Sequence, residues 1–356
     1  EGEKVEPKYY IPIIPMILVN GCTAGIGTGW STSIPSYNPI DIIQYLQNKL
    51  QGNENKIDFI PYYENFRGEI RKILDTKFLV KGKYEKISED KIRISELPIG
   101  FWTEDFKELL EKLIEPDVGK DGKKKQSFIK DYDDMSKDTT IDFIIHLSKG
   151  KLSELESQIG ENNCNGVEKL LKLYTTLNTT NMHLFNAQEK LHKYDSIPDI
   201  IDDYYETRLY MYHKRKDYLV NQLTKELLVL QNKVKYIREI LNDTIDLRKK
   251  KKEEVIKLLN DKKYSIINDD IEFKYLVKMS MDSVTEENIN KLSNEHDKKA
   301  EELDLIQSKT IQNMWLEELS ELLKQFNIYQ EDRQRSCEDI SIKKTKIIKK
   351  KLKIVP

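Results

Sequence analysis

The sequence is poor in cysteine and lacks a long hydrophobic run. Only three cysteines occur in 356 residues, and this odd, scattered set argues against a disulfide framework or a cysteine zinc site. No stretch of about 18 apolar residues exists, which excludes an integral membrane protein and predicts no membrane partner. Residues 1–10 resemble neither a signal peptide nor a transit peptide and read like the middle of a longer chain.

An excess of charge of one sign is also lacking. Lysine and arginine total 59, aspartate and glutamate total 61, and the net charge is −2. A near-neutral chain does not predict a polyanionic partner, so any nucleic-acid binding requires a local patch. Hydrophobic residues make up 38% of the chain, which is enough for packed cores and argues against wholesale disorder.

Glycine and proline are absent between Asp199 and Val355, whereas they recur every few residues before Asp199. A chain without these residues can form long helices but has few tight turns. This absence predicts long helices in the second half. Two such helices of similar reach, with an apolar segment between them, suggest an antiparallel pair, so we predict an α+β fold: a mixed α/β part, then a long antiparallel coiled coil with a small, mostly helical tip.

In the first half, hydrophobic spacing and β-branched residues predict short elements. The predicted helices are Ile40–Leu50, Thr103–Ile114 and Val167–Tyr174. The predicted strands are Glu69–Ile73, Lys77–Lys81, Lys91–Leu97 and Thr140–His146. Gly119–Lys125 is predicted to be a basic loop and Asp131–Asp134 a solvated acidic loop, which lacks the spacing of an EF-hand.

The second half begins with a helix start at Ser196–Asp199, where a capping serine precedes a first-turn proline and an acid. Spacings of four and three residues then predict a coiled-coil seam, formed by Leu223, Leu227, Leu230, Val234, Ile237 and Leu241. A second helix is predicted from Thr285 to Phe326. Lys250–Ser283 is apolar enough for a globular tip.

Three interpretations of Gly25–Trp30 are open. A phosphate-cradling loop needs a helix directly after the glycines, and the Ser-Thr-Ser-Ile-Pro sequence that follows does not favour one. A tight structural turn is a second interpretation. In the third, the glycines bring backbone close to a surface while Ile26 presents one apolar side chain.

The run from Lys172 to Met182 combines one lysine, four threonines and two asparagines. Hydroxyl, amide and ammonium groups bind phosphate oxygens without reading base sequence, but an ordinary β-branched strand has the same composition. Neither a G-x-S-x-G elbow nor an H-E-x-x-H helix occurs. The residues alone therefore predict no self-contained active site and no metal site.

Several ordered motifs resemble eukaryotic type IIA DNA topoisomerases, and a related pattern occurs in the gyrase A subunit. They are the stretches 10–21, 25–35, 94–103, 138–143, 172–185 and 193–209, so the resemblance runs in order through residues 5–326. It implies an isomerase that passes one DNA duplex through a transient double-strand break in another.

The resemblance also implies a domain organisation. Residues 1–40 would end the DNA gate, 41–182 would form the tower, 183–249 and 284–327 the coiled-coil arms, and 250–283 the C-gate through which two copies dimerise. Residues 328–356 are predicted to be a disordered basic tail, since seven lysines and no acid follow Asp339.

By the same resemblance, Ile26 would insert between base pairs, with Gly25 and Gly27 binding DNA beside it. The second DNA-binding segment would be residues 172–181: Lys172, Leu173, Tyr174, Thr175, Thr176, Leu177, Asn178, Thr179, Thr180 and Asn181. One departure is that Cys22, Thr23 and Ala24 stand where the family usually has two residues, one of them acidic. The turn must absorb the extra residue.

The family's nucleophilic tyrosine and neighbouring arginine would lie upstream of Glu1, so no catalytic residue is expected in this chain. The resemblance implies upstream winged-helix, TOPRIM and ATPase domains, which use Mg²⁺ and ATP, and a nuclear location. This segment itself is expected to bind no cofactor. The alternative is a coiled-coil scaffold protein with a mixed α/β head and no role on DNA.

Overall fold

The computed structural model describes residues 5–6, 10–115, 127–137, 139–248 and 250–351. They divide into two compact units, the first ending at Tyr205 and the second beginning at Glu206. The predicted basic loop Gly119–Lys125 lies outside the described residues. Within the described part of the chain, no helix combines the length and apolar character needed to cross a membrane.

The first unit begins with a short helix and a β-hairpin. Helix α1 spans Met16–Asn20, and strands β1 (Cys22–Gly27) and β2 (Trp30–Ile34) pair antiparallel. Helix α2 (Pro39–Gln51) follows. The Asn38 side chain accepts a hydrogen bond from the Ile40 amide at 3.0 Å, as expected of an N-cap residue.

Two antiparallel sheets form the middle of the first unit. The three-stranded sheet has the order β3 (Glu69–Leu74), β4 (Lys77–Lys81), β9 (Tyr174–Asn178). The four-stranded sheet has the order β5 (Lys83–Ser88), β6 (Lys91–Glu96), β8 (Phe143–Leu147), β7 (Ile129–Asp134). A second hairpin pairs β10 (Met182–Phe185) with β11 (Leu191–Tyr194).

Helices cover the four-stranded sheet. They are α3 (Thr103–Ile114), α4 (Lys151–Ser157) and α5 (Gly166–Leu170). Their apolar faces and the inward-facing residues of β6 and β8 form one core. Phe106 of α3 and Phe143 and Ile145 of β8 are fully buried in it. This alternation of buried and exposed residues along β6 and β8 is that of a sheet with one covered face.

The second unit is helical. Helix α6 spans Ile197–Leu241, so that it begins in the first unit and continues into the second. It is followed by α7 (Lys252–Asp261), α8 (Lys274–Val277), α9 (Glu286–Ser308) and α10 (Ile311–Lys351). Glu226 pairs with Lys299 and Arg215 pairs with Glu318. Glu226 comes after Arg215 in α6, whereas its partner Lys299 comes before Glu318. The helices therefore run antiparallel, which confirms the prediction.

A small core closes the far end of this helical pair. Tyr236, Ile245, Leu259, Tyr264 and Phe273 are buried together there. The Tyr264 hydroxyl donates a hydrogen bond to Glu239 of α6 at 2.9 Å. The prediction that Lys250–Ser283 contributes a globular, mostly helical tip agrees with this arrangement.

The second long helix is interrupted, which the sequence did not indicate. Lys309 has extended backbone angles between α9 and α10. The Lys216 ammonium donates to the carbonyls of Gln307 and Lys309 at 2.9 and 2.5 Å, and the Thr310 hydroxyl caps the Asn313 amide at 3.1 Å. Side-chain caps therefore end one helix and start the next without glycine or proline.

Four further predictions from the sequence need correction. Residues 183–194 form the β10–β11 hairpin and not part of a coiled-coil helix, and α5 ends at Leu170 so that Tyr174 begins a strand. Asp131–Asp134 belongs to strand β7, where Asp134 pairs with Lys107 of α3. The tail is helical through Lys351, because lysine favours helix and no breaker intervenes; residues 352–356 lie outside the described chain.

Candidate nucleic-acid interface

The β1–β2 hairpin presents one apolar side chain to solvent. Gly27 pairs with Trp30, so Thr28 and Gly29 form a two-residue turn, and Gly29 has φ +84°, an angle that glycine adopts without strain. Ile26 pairs with Ser31 beside this turn. The Ile26 side chain is 89% exposed, whereas a buried position is the usual place for isoleucine.

Two of the glycines are required by packing within the hairpin. A Cβ atom at Gly27 would lie 2.4 Å from the Trp30 indole, and one at Gly25 would lie 2.6 Å from the Thr32 methyl group. The glycines thus allow Trp30 and Thr32 to pack against the backbone of β1. A strand follows the glycines, and the helix required for a dinucleotide-binding loop is absent at this point.

The extra residue of the Cys22-Thr23-Ala24 segment forms a β-bulge. Cys22 pairs with Ile34 and Gly25 with Thr32, so three steps along β1 correspond to two steps along β2. A bulge of this kind places one unpaired residue in a strand and leaves the ladder regular on either side. The pairs Ile26–Ser31 and Gly27–Trp30 keep normal register.

The second predicted segment, residues 172–181, is an edge strand with its ends exposed. Strand β9 pairs with β4 on one side only, and the side chains of Lys172, Asn178 and Thr180 are exposed. Leu173 is buried in the core of the four-stranded sheet and Thr179 is 6% exposed. These two therefore turn inward. The other members, Tyr174, Thr175, Thr176, Leu177 and Asn181, are half-buried.

The structure joins the two predicted segments. The Asn181 carbonyl accepts a hydrogen bond from the Ser33 amide at 2.7 Å, and the Asn181 side-chain amide donates to the Ser31 hydroxyl at 3.0 Å. The Thr32 hydroxyl accepts from the His183 amide at 3.1 Å. The exposed isoleucine and the polar run are thus parts of one surface.

Sequence reasoning missed the aromatic support of this surface. The rings of Trp30 and Phe185 meet edge to face with centroids 5.6 Å apart, a favourable aromatic geometry. Phe185 is still 60% exposed. The signal in the sequence was an aromatic residue close behind each motif: Trp30 directly after the glycines and Phe185 shortly after the polar run.

An acidic depression of about 440 Å³ lies beside strand β11 of the second hairpin, and its lining includes Asp195, Asp199, Asp202 and Asp203 together with His192 and Lys193. The Tyr194 hydroxyl donates a hydrogen bond to the Asp203 carboxylate. Burial, together with the neighbouring carboxylate, raises the pKa of the Tyr194 phenol. Negative charge disfavours phosphate, and among the described residues no group of three or more acids, histidines and cysteines could hold a metal ion.

Comparison with known proteins identifies relatives of the chain. The family model for the DNA gyrase/topoisomerase IV A subunit matches residues 1–320. The chain is 35% identical over 354 residues to DNA topoisomerase 2 of Plasmodium falciparum, covering 90% of this chain and 24% of that protein. It is 34% identical to DNA topoisomerase 2 top-2 of Caenorhabditis elegans, covering 96% of this chain and 25% of the relative.

A solved structure has the same fold. The crystal structure of the Plasmodium falciparum topoisomerase II DNA-binding, cleavage and re-ligation domain superposes with a TM-score of 0.76 at 35% identity. The match covers 93% of this chain and 47% of that one. This chain therefore spans about a quarter of the length of the curated relatives above and about half of the solved domain.

Proposed function

We propose that this chain, which belongs to the A-subunit family of DNA gyrase/topoisomerase IV, forms part of the DNA-cleavage core of a type IIA topoisomerase. The whole enzyme would change DNA topology by passing one duplex through a transient double-strand break in another. In this proposal the present segment bends the duplex that is cut and carries a dimer contact. The relatives support this role over that of a scaffold protein without DNA.

The observation that carries the proposal is the exposure of Ile26 at the end of a two-stranded hairpin. An apolar side chain inserted between two base pairs unstacks them at a cost of about a few kcal/mol, and the resulting bend lets DNA contact more protein surface. A rigid hairpin suits this task because it loses little conformational entropy on insertion.

The exposed polar side chains of the second segment would hold the phosphates. Lys172, Asn178 and Thr180 supply an ammonium, an amide and a hydroxyl, groups that position a duplex without reading its sequence. Leu173 and Thr179, being buried, would act through the fold and not by side-chain contact. Binding should therefore weaken as salt increases, because a contact between the Lys172 ammonium and a phosphate releases a counterion, whereas the uncharged groups of Asn178 and Thr180 release none. A scaffold protein would bind weakly and be indifferent to salt.

Duplex bending tests the role of Ile26. Fluorescence transfer between dyes at the two ends of a short duplex should rise when the chain binds, and Ile26→Ala should reduce this rise more than it reduces affinity. Ile159→Ala is the matched control, since Ile159 is 76% exposed but lies outside the hairpin. An unchanged bend with Ile26→Ala would reject the proposal that Ile26 inserts between base pairs and bends the duplex.

The tip of the helical pair would form the C-gate dimer contact. Ile266, Ile271 and Val277 are 49%, 63% and 43% exposed there, next to the buried tip core. Exposed apolar side chains at one end of an arm suit a self-complementary contact. Sedimentation should show a dimer that Ile271→Asp dissociates and Leu305→Asp, on α9, leaves intact. Equal behaviour of the two variants would refute this assignment.

The chemistry of strand cleavage would come from other parts of the enzyme. The proposed upstream winged-helix domain would supply the nucleophilic tyrosine and its arginine, and the TOPRIM and ATPase domains would use Mg²⁺ and ATP. We expect the 356 residues alone to leave supercoiled plasmid unchanged, and its relaxation by the purified chain would contradict the assignment. A nuclear location is part of the proposal, because the relatives named above are DNA topoisomerases 2 of eukaryotes.

A further inference from the structure

We propose that Asn181 is a positioning residue that fixes the direction of the Ile26 hairpin and does not contact phosphate. This inference rests on the proposed function of Ile26. The run 172–181 as a whole suggests phosphate binding, but the geometry separates its last residue from the others.

Asn181 contacts β2 through both its backbone and its side chain. Its carbonyl accepts from the Ser33 amide at 2.7 Å and from the Thr32 hydroxyl at 3.5 Å. Its side-chain nitrogen donates to the Ser31 hydroxyl at 3.0 Å. Three consecutive residues of β2 are therefore bonded to this one asparagine.

The contact between the side chains of Asn181 and Ser31 lies directly opposite Ile26. Ser31 is the residue that pairs with Ile26 across the hairpin. The hydrogen bond that holds the Ser31 side chain therefore also restrains the strand that carries Ile26. Paired residues of an antiparallel ladder are only about 5 Å apart.

The other end of the Asn181 side chain is also occupied. Its Oδ1 atom lies 2.9 Å from Nδ1 of His183, so the ring nitrogen donates to it. With the amide nitrogen on Ser31 and the oxygen on His183, the side chain is held between two partners in the protein. Asn178, in contrast, is exposed on β9, and within the described part of the chain its side chain makes no such bridge to the hairpin.

The arrangement predicts separate effects on bending and on affinity. Asn181→Ala should loosen the hairpin, so that Ile26 no longer points reproducibly at one base step and the saturated duplex bends less. Asn178→Ala should weaken binding without changing the bend at saturation. Ser31→Ala, which removes only the acceptor at an exposed position, should act in the same direction as Asn181→Ala.

Asn181→Asp is the informative rescue. The Ser31 hydroxyl can donate to a carboxylate, and so can His183 Nδ1, so the bridge is preserved. The added negative charge should weaken DNA binding while leaving the bend at saturation close to that of the unaltered chain. A residue whose role is phosphate contact would instead lose affinity in both variants and keep its bend in both.

The experiment measures three quantities on the full chain. They are end-to-end fluorescence transfer at saturation, affinity, and hydrogen exchange of peptides covering residues 22–34 in the absence of DNA. Circular dichroism verifies that each variant is folded. For Asn181→Ala we expect reduced transfer and about tenfold faster exchange in the hairpin, as the loss of a hydrogen bond permits more frequent local opening.

The outcomes distinguish this inference from the proposed function. Reduced bending by Ile26→Ala together with unchanged bending and unchanged hairpin exchange by Asn181→Ala would overturn the positioning role alone. A duplex that the unaltered chain binds without bending would overturn both. Reduced bending by Asn181→Ala, with rescue by Asn181→Asp, would establish the positioning role.

Discussion

The two units of the chain differ in how their buried residues are distributed. In the first unit, strands and short helices enclose a continuous core that includes Ile92, Phe106, Phe143 and Leu173. In the second, α6 buries Leu223 and Leu230 to 6% and 7% exposure, and fully buried residues lie around Tyr212, Trp315 and Leu319 and in the tip core. Helix α9 between them contributes no buried residue.

This difference bears on function. A rigid sheet-based unit can hold one exposed isoleucine in a fixed direction, which a wedge needs. A pair of long helices whose fully buried residues lie at separate places can be long with few residues. The stretch between those places should open locally at low free energy.

The anchor of the helical unit should be sensitive to truncation. Trp315 is fully buried and its ring stacks on Tyr212 with centroids 5.5 Å apart. Trp315→Ala should lower the free energy of unfolding of the second unit by about 3–5 kcal/mol, measured by urea titration. Trp102 is 71% exposed, so Trp102→Ala should cost no more than about 0.5 kcal/mol. An equal loss of unfolding free energy in the two variants would contradict the contrast between buried Trp315 and exposed Trp102.

Ion pairs should differ in strength between the units. Lys81 and Glu168 lie 2.8 Å apart with side chains 17% and 11% exposed, whereas Lys299 and Glu226 are 28% and 37% exposed. Lys81→Met leaves a nearly buried carboxylate without its cation and should cost roughly 3 kcal/mol. Lys299→Met should cost less than about 1 kcal/mol. Urea unfolding of both variants makes the comparison, and a larger cost at Lys299 would reverse it.

Alkaline pH should weaken both units through buried tyrosines. Burial, reinforced by Asp202, raises the pKa of Tyr45 to about 12, and burial with a hydrogen bond to Glu318 raises that of Tyr212 to about 12. The unfolded phenols ionise at about pH 10, so the stabilising contribution of the buried phenols is complete below that pH and is lost as the pH rises through about 12.

Urea midpoints at about pH 9 and about pH 11 measure this loss. Tyr45→Phe should reduce the alkaline loss of the first unit and Tyr212→Phe that of the second, since neither phenyl ring can ionise. Variants that lose as much stability as the unaltered chain over this interval would show that other groups are responsible.

Features of the fold that depend on local sequence could be predicted, whereas features that depend on distant partners could not. Thr103–Ile114 and Lys77–Lys81 were predicted at their observed bounds, because their patterns alone fix a helix and a buried strand. The long helices were predicted from the absence of glycine and proline. These are local signals that need no knowledge of tertiary partners.

The misses depend on partners distant in sequence. The break at Lys309 requires Lys216, more than ninety residues earlier, to cap the end of α9. Strand β7 forms because Asp134 and its neighbours pair with β8 and Lys107, although the acidic composition suggested a loop. The bridge from Asn181 to Ser31 is invisible in a list of polar residues for the same reason.

The smallest effect should come from removing the bulge. Deleting Ala24 would give β1 and β2 equal lengths between the pairs Cys22–Ile34 and Gly25–Thr32. The Ile26–Ser31 pair lies beyond the bulge, so we expect a change in unfolding free energy within about 0.5 kcal/mol and the same duplex bend. Loss of bending on deletion, with the fold intact, would show that the bulge sets the direction of Ile26.

Base unstacking by Ile26 is the central claim, and 2-aminopurine fluorescence measures it most directly. A set of duplexes, each with the probe at a different step, should include positions where fluorescence rises on binding of the full chain, because an unstacked base is less quenched. The rise should vanish with Ile26→Ala and persist with Ile159→Ala. Tight, salt-dependent binding with no rise at any probed step would contradict the account.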